Sequence, residues 1–297
     1  MTILKRIALF VGAVIAAASC AGCVREAPPD MGLSDVVSTQ SSTEVPTEST
    51  TQPTTQAAPE PDTASVLDRL RIAAEPVGST MYVWGGGWNQ ADTGAGEEAV
   101  TLGVSSRWAE FADLQDAGYD HKNYRYQIHD GLDCSGYVGW AIYNTLETEN
   151  GRPGYVSSST DMAQALADRG LGTFIPAEEM TQWLPGDIMS MKGHVWIVVG
   201  MCGDGSVLLL HSSPPGVRFC GTRLPDGSDS EAVALAERIM AERYPDWYSR
   251  YPDCAKSHGY LTKSSAMRWS HDVLSDREGL QGMTACEVLE AIFRDPS

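Results

Sequence analysis

The chain has 297 residues, enough for one sizeable core and for one or two domains. Against 21 Lys and Arg stand 39 Asp and Glu, a formal charge of −18. Phosphates and anionic bilayers are bound by clustered cations, so this balance argues against nucleic acid or a charged membrane surface as partner.

MTILKR sets two cations ahead of the apolar run IALFVGAVIAAA, and small residues follow in SCAGC. The pattern reads as a secretory signal over residues 1–19, too short to span a bilayer as a helix. Its Ala-Ser-Cys and Ala-Gly-Cys endings resemble the lipobox of bacterial lipoproteins, without the Leu usual there. Cys20 or Cys23 is therefore the expected lipidation site, with Cys20 fitting better. Residues 20–63 include STQSSTEVPTESTTQPTTQAAPEPD, and no aromatic residue occurs between Phe10 and Tyr82. Such a composition cannot bury enough apolar surface to offset chain entropy, which predicts a disordered stalk. The expected location is extracytoplasmic, on the outer face of a bacterial membrane and held there only through the N-terminal lipid.

Residues 64–297 read as a folded domain. Val66, Leu67, Leu70, Ala73 and Ala74 share one helical face that ends before Pro76. MYVWGGGW is a strand-like piece running into glycines, and residues 88–130 are loop-rich with a short helix expected over 106–117. A helix follows Cys134, where Tyr137, Val138, Ala141 and Ile142 repeat at helical spacing; another spans 160–169, capped by Gly170. Short apolar runs at 188–190, 194–200, 207–211 and 217–220, split by Gly-rich turns, predict an antiparallel meander. Helices over 231–243 and 284–294, with a last strand near Met267, complete an α+β domain.

Cys134 lies in GLDCSGYVGW at what reads as a helix start, where free N–H groups and the helix dipole favour a thiolate and an oxyanion. A cysteine nucleophile needs a base and a group to orient the base. His194 opens HVWIVVG and His211 closes VLLLHSS, so a hairpin would bring them side by side. From spacing alone, a buried thiol with two incidental histidines fits the same residues. Of the other cysteines, Cys202 and Cys220 flank the expected hairpin and form one candidate disulfide, leaving Cys254 with Cys286. Apart from Cys20-Ala-Gly-Cys23 at the expected lipidation site there is no Cys-x-x-Cys pair, and neither a metal nor a cofactor is expected.

YVWGG, GLDCSGYV, LPGD, GHVWIVVG and HSSPPGV occur in this order over residues 64–220. The series resembles the NlpC/P-sixty family of cell-wall cysteine endopeptidases, in the papain-like superfamily. The resemblance implies a papain-like fold, with helices packed on an antiparallel sheet, the nucleophile at a helix N-terminus and histidines on adjacent strands. It further implies Cys134 as nucleophile, His194 as base, His211 as the third residue and Tyr82 as a helper at the oxyanion. Asp133 and Ser135 match groove positions, with helix capping as the plainer reading, and Trp196 stands beside the base where the family commonly has Gly. Asp187 reads as a turn acid, and His121, His129, His258 and His271 match nothing.

The implied reaction is hydrolysis of peptidoglycan stem peptides at the γ-D-glutamyl bond to diaminopimelate or lysine, by a monomer. An amidase or acyl or peptide transferase on the same fold, or a silent wall-binding module, are the alternatives. Two departures stand out: the enlarged insertion 88–130, which either walls the groove or packs a subdomain of its own, and the C-terminal extension beyond Cys220.

Overall fold

A computed structural model describes residues 63–294. The signal, Cys20, Cys23 and the stalk as far as residue 62 lie outside the described residues. Among the described residues, no helix is long and apolar enough to cross a membrane.

The domain opens with α1 (Val66–Ala74), started by a capping box in which Ser65 Oγ accepts from Asp68 N–H at 3.1 Å and Asp68 accepts from Ser65 N–H at 3.0 Å. Then come α2 (Ser106–Asp113), α3 (Cys134–Leu146), α4 (Met162–Asp168), β1 (Gly172–Ile175), β2 (Ile188–Met191), β3 (His194–Met201), β4 (Val207–Ser213) and β5 (Gly216–Thr222). The last third adds α5 (Glu231–Arg243), α6 (Pro245–Arg250), β6 (Ala255–Lys256), α7 (Gly259–Thr262), β7 (Ser265–Trp269) and α8 (Ala285–Phe293). The strands form one sheet in the order β1-β7-β2-β3-β4-β5-β6. Neighbours are antiparallel except β5 and β6, which run parallel, so the α+β expectation holds and the sheet is mixed.

β3 and β4 are buried on both faces, which is why they read as unbroken apolar runs. On one face, Val195, Ile197, Val199, Leu208 and Leu210 join α3 residues such as Tyr137, Val138 and Ile142 in the main core. On the other, Trp196, Val198 and Leu209 pack with Met189, Cys220 and Leu261 in a second cluster. The strand expected near Met267 is β7, inserted between β1 and β2. Two expectations change: the helix from residue 106 ends at Asp113, and the strand-like piece at residue 81 reduces to a single bridge, Met81 to Gly216.

Neither expected disulfide forms, because Cys220 and Cys254 are free thiols. Cys202 follows β3 directly, and β4 lies between β3 and β5, where Cys220 pairs with Leu209. Two strand spacings are about 9.5 Å, beyond the roughly 7 Å over which Cα atoms can be bridged. Cys254 precedes the edge strand β6, while Cys286 lies in α8, which packs on β3 three strands away.

The glycine motifs acquire a physical reason where the turn at 85–87 meets the start of α3. A Cβ on Gly136 would sit 2.0 Å from the Gly86 carbonyl oxygen and 3.0 Å from Gly87 Cα. Only backbone against backbone fits there. Gly136→Ala is expected to lower the unfolding free energy by about 1–3 kcal/mol. Urea denaturation measures this, and wild-type stability in the variant would show that the close approach constrains nothing.

Candidate active site

Cys134 is the first residue of α3 and Asp133 its N-cap. The Asp133 carboxylate accepts from Gly136 N–H at 2.8 Å, Ser135 Oγ at 2.9 Å and Gly85 N–H at 3.2 Å. Its own N–H donates to Gly86 O at 3.0 Å, so cap and glycine turn are tied in both directions. Ser135 Oγ also accepts from Trp88 Nε1 at 2.9 Å, which anchors the beginning of the insertion. Both residues are buried, serving the helix cap and also tying it to the glycine turn and to Trp88.

The thiol is 6 % exposed and sits where α3 packs on β3. Burial pushes it from 9.0 up to about 12, and the Asp133 carboxylate adds to the rise. Backbone N–H groups of Val195, Ser135 and Cys134 pull the other way without prevailing. In place of the expected thiolate stands a neutral thiol beside the Val195 amide, next to His194.

His194 Nε2 lies 3.0 Å from His211 Nδ1, with ring centroids 5.1 Å apart at 79°. The expected pairing across the hairpin is thus present. Burial pulls His194 down to about 3, with the cations Lys256 and Arg218 contributing, and holds His211 well below its ordinary 6.5. Arg218 is itself fully buried, donating to the carbonyls of Ser213, Pro214, Gly216 and Asp253 at 2.7–3.2 Å, which braces the β4–β5 turn. With both rings neutral, one shared proton orients the pair. When His194 Nε2–H donates to His211 Nδ1, Nδ1 of His194 carries a free lone pair. In that tautomer the proton on His211 Nε2 has no partner among the described residues.

Tyr82 docks on the β4–β5 turn through its N–H to Pro215 O at 2.8 Å. Burial raises its hydroxyl above the ordinary phenol range, and the neighbouring Cys134 and Asp133 raise it further. The insertion reaches this residue: Tyr119 Oη donates to Tyr82 O at 2.7 Å, and the His121 ring meets the Tyr82 ring edge-on at 5.4 Å. The rest of the insertion packs on itself, with Phe111, Tyr119 and Tyr124 in mutual contact and Trp108 against Trp140 of α3.

Trp196 does not line an open groove. Strand alternation puts it, fully buried, in the second cluster, with Nε1 donating to Ser264 Oγ at 3.3 Å. Between it and the histidines stands a residue the motifs do not reach, Tyr260 of α7. Its ring lies 5.5 Å from His194, 6.2 Å from His211 and 5.8 Å from Trp196. No local signal in the sequence marks Tyr260, because only the return of the C-terminal extension across the sheet places it there. Asp187 is a turn acid, accepting from Leu184 N–H at 3.0 Å and paired with Arg268 at 2.7 Å. Among the described residues, no group of three or more His, Cys, Asp or Glu could hold a metal ion.

No family model, curated protein or solved structure matches the chain.

The thiolate is the form that alkylates, and a thiol at about 12 beside a histidine at about 3 has no ionisation near neutrality. The rate of Cys134 alkylation by iodoacetamide, followed by peptide mass spectrometry, is expected to rise about tenfold per pH unit from 6 to 9. A plateau across that range would instead mark a preformed thiolate–imidazolium pair.

Proposed function

We propose that this chain is a papain-like cysteine peptidase that hydrolyses peptidoglycan stem peptides, with the γ-D-glutamyl bond to diaminopimelate or lysine as its target. The observation that carries the reading is the 3.0 Å His194–His211 pair set beside a helix-start thiol that meets the Val195 amide. The order of the motifs from residue 64 to 220 supplies the substrate class. Export and a lipid tether at Cys20 or Cys23 belong to the same reading, since the substrate lies outside the membrane.

The neutral site sets the order of proton movements. As Sγ of Cys134 attacks the scissile carbonyl carbon, Nδ1 of His194 takes the thiol proton, so the thiolate never accumulates. The resulting imidazolium is held by His211 through the Nε2–Nδ1 hydrogen bond. The Cys134 amide and the Tyr82 hydroxyl receive the oxyanion. Collapse expels the amine, which leaves with the proton from His194, and the acyl group remains as a thioester. His194 then deprotonates water, which attacks the thioester and releases the carboxylate product and the free thiol.

Mass spectrometry of defined muropeptides tests this directly. Wild-type protein is expected to split the stem after D-Glu, and Cys134→Ala to leave it intact while folding normally. Cleavage by that variant would remove Cys134 from the mechanism, and transfer of the acyl group to an amine rather than water would make the protein a transferase. His194→Ala is expected to lower kcat/KM by about 10³-fold or more, and His211→Ala by on the order of tenfold to a hundredfold. Equal losses would undo the division between base and orienting group.

A further inference from the structure

The chain leaves β6 at one edge of the sheet, beside β5, and returns as β7 between β1 and β2. The stretch between them, which contains α7, therefore crosses the face formed by β5, β4 and β3. Leu261 anchors α7 there, buried with Val198, Leu209 and Cys220, and Ser264 just beyond the helix accepts from Trp196 Nε1 at 3.3 Å. Tyr260, one residue before Leu261, is thereby laid on the histidines. Its ring meets His194 at 5.5 Å and 60°, His211 at 6.2 Å and 67°, and Trp196 at 5.8 Å and 40°. All three are contacts of the ring.

The histidine pair depends on such packing. The 3.0 Å bond from His194 Nε2 to His211 Nδ1 joins two neutral groups, so it is weaker than a charge-assisted bond and is readily exchanged for bonds to water. The charged groups that act on the pair are both cations, Arg218 of β5 and Lys256 of β6. Cys134 of α3 reaches it through the Val195 amide, with Asp133 behind the thiol, and Tyr260 of α7 is a phenol that burial keeps neutral. Lys and Arg cannot accept a proton from an imidazole, so neither cation locks a ring by hydrogen bonding.

We infer that Tyr260 is a positioning residue: its ring covers His194 and His211, keeps water from the bond between them, and so holds both imidazoles in one orientation and one tautomer. The consequence for catalysis rests on the peptidase reading above, in which Nδ1 of His194 must be presented to the thiol as a free base. Desolvation is also the largest cause of the low position of both rings, His194 lying at about 3. Removing the cover readmits water, and His194 then climbs toward its ordinary 6.5, while Arg218 and Lys256 hold it short of that value.

Histidine side-chain NMR on the full chain tests this without a substrate, because ring 15N shifts report protonation and tautomer between about pH 5 and 8. Spectra of His194→Gln and His211→Gln assign the two rings. In wild-type protein both are expected to stay neutral, each as a single tautomer. Tyr260→Phe keeps all three ring contacts and should match wild type. Tyr260→Ala should let one ring of the pair take up a proton with a midpoint between about 5 and 6.5, and should average the tautomers. Tyr260→Leu refills most of the volume without an aromatic ring and should shift the pair in the same direction by less; it replaces the Ala variant if circular dichroism shows that one unfolded. Rings that stay neutral in one tautomer down to pH 5 in a folded Ala or Leu variant would overturn the inference, as would wild-type or Phe-variant rings that titrate. With muropeptide as substrate, Tyr260→Ala should gain an acid limb in kcat, falling about tenfold per pH unit below the midpoint, with KM unchanged. Muropeptides left intact by wild-type protein would sink the peptidase reading alone, and histidines indifferent to residue 260 would sink this inference alone.

Discussion

The Asp133 carboxylate is the point on which the site depends. One oxygen caps α3 through Gly136 N–H and holds Ser135, and the other holds the glycine turn through Gly85 N–H. These bonds occupy most of the acceptor capacity of a carboxylate. They also fix the height of Cys134, because the first helical residue has nowhere to go once cap and turn are locked. Burial raises Asp133 to about 6, so the clamp is still predominantly charged at neutral pH. The charge that positions the thiol also disfavours its ionisation.

That conflict is settled by magnitude. A helix N-terminus stabilises an anion by about 0.3–1 kcal/mol, up to ~2 in partly buried settings. The rise of Cys134 from 9.0 to about 12 corresponds to roughly 4 kcal/mol against the thiolate. Desolvation prevails, and the three backbone N–H groups facing the sulfur moderate it only in part. The same balance governs the histidines, which burial and the Arg218 and Lys256 cations keep neutral. On the proposed reading, such a site would separate charge only when a carbonyl is present to receive the sulfur and an oxyanion forms beside the Cys134 amide.

Much of this was legible along the chain because local rules coincide with the tertiary ones. The runs at 194–200 and 207–211 read as strands since both faces of β3 and β4 are buried, and Asp-Cys-Ser-Gly reads as a helix start since its cap is local. β1 and β6 carry no sequence signal because each is short and only partly buried, leaving no apolar period to detect. The cysteine pairing failed for a topological reason, since residues flanking a hairpin need not be neighbours once the middle strand intervenes. Trp196 is expected beside the base from the motif it interrupts, where the resembled family commonly has Gly; it shares a strand face with His194, and there Tyr260 packs against both rings. Tyr260 and His121 lie in the C-terminal segment and in the 88–130 insertion, outside the quoted motifs, where no local pattern could point to them.

The insertion and the C-terminal segment both reach the site, and their contacts there differ. Tyr260 touches His194, His211 and Trp196 at once, from a helix whose Leu261 is buried in the second cluster. The insertion holds Tyr82 by one hydroxyl bond from Tyr119 and one ring edge from His121, the latter on a 3-10 turn with no fully buried residue. An edge-on aromatic contact contributes about 0.5–1.5 kcal/mol. A hydrogen bond exchanged with water contributes a similar amount. Displacing the 121–124 turn would also part Tyr124 from Phe111 and Tyr119, and lifting Tyr260 would uncover His194, His211 and Trp196. On the proposed reading a substrate carbonyl has to reach Cys134, a residue only 6 % exposed, so one of these two covers would have to give way.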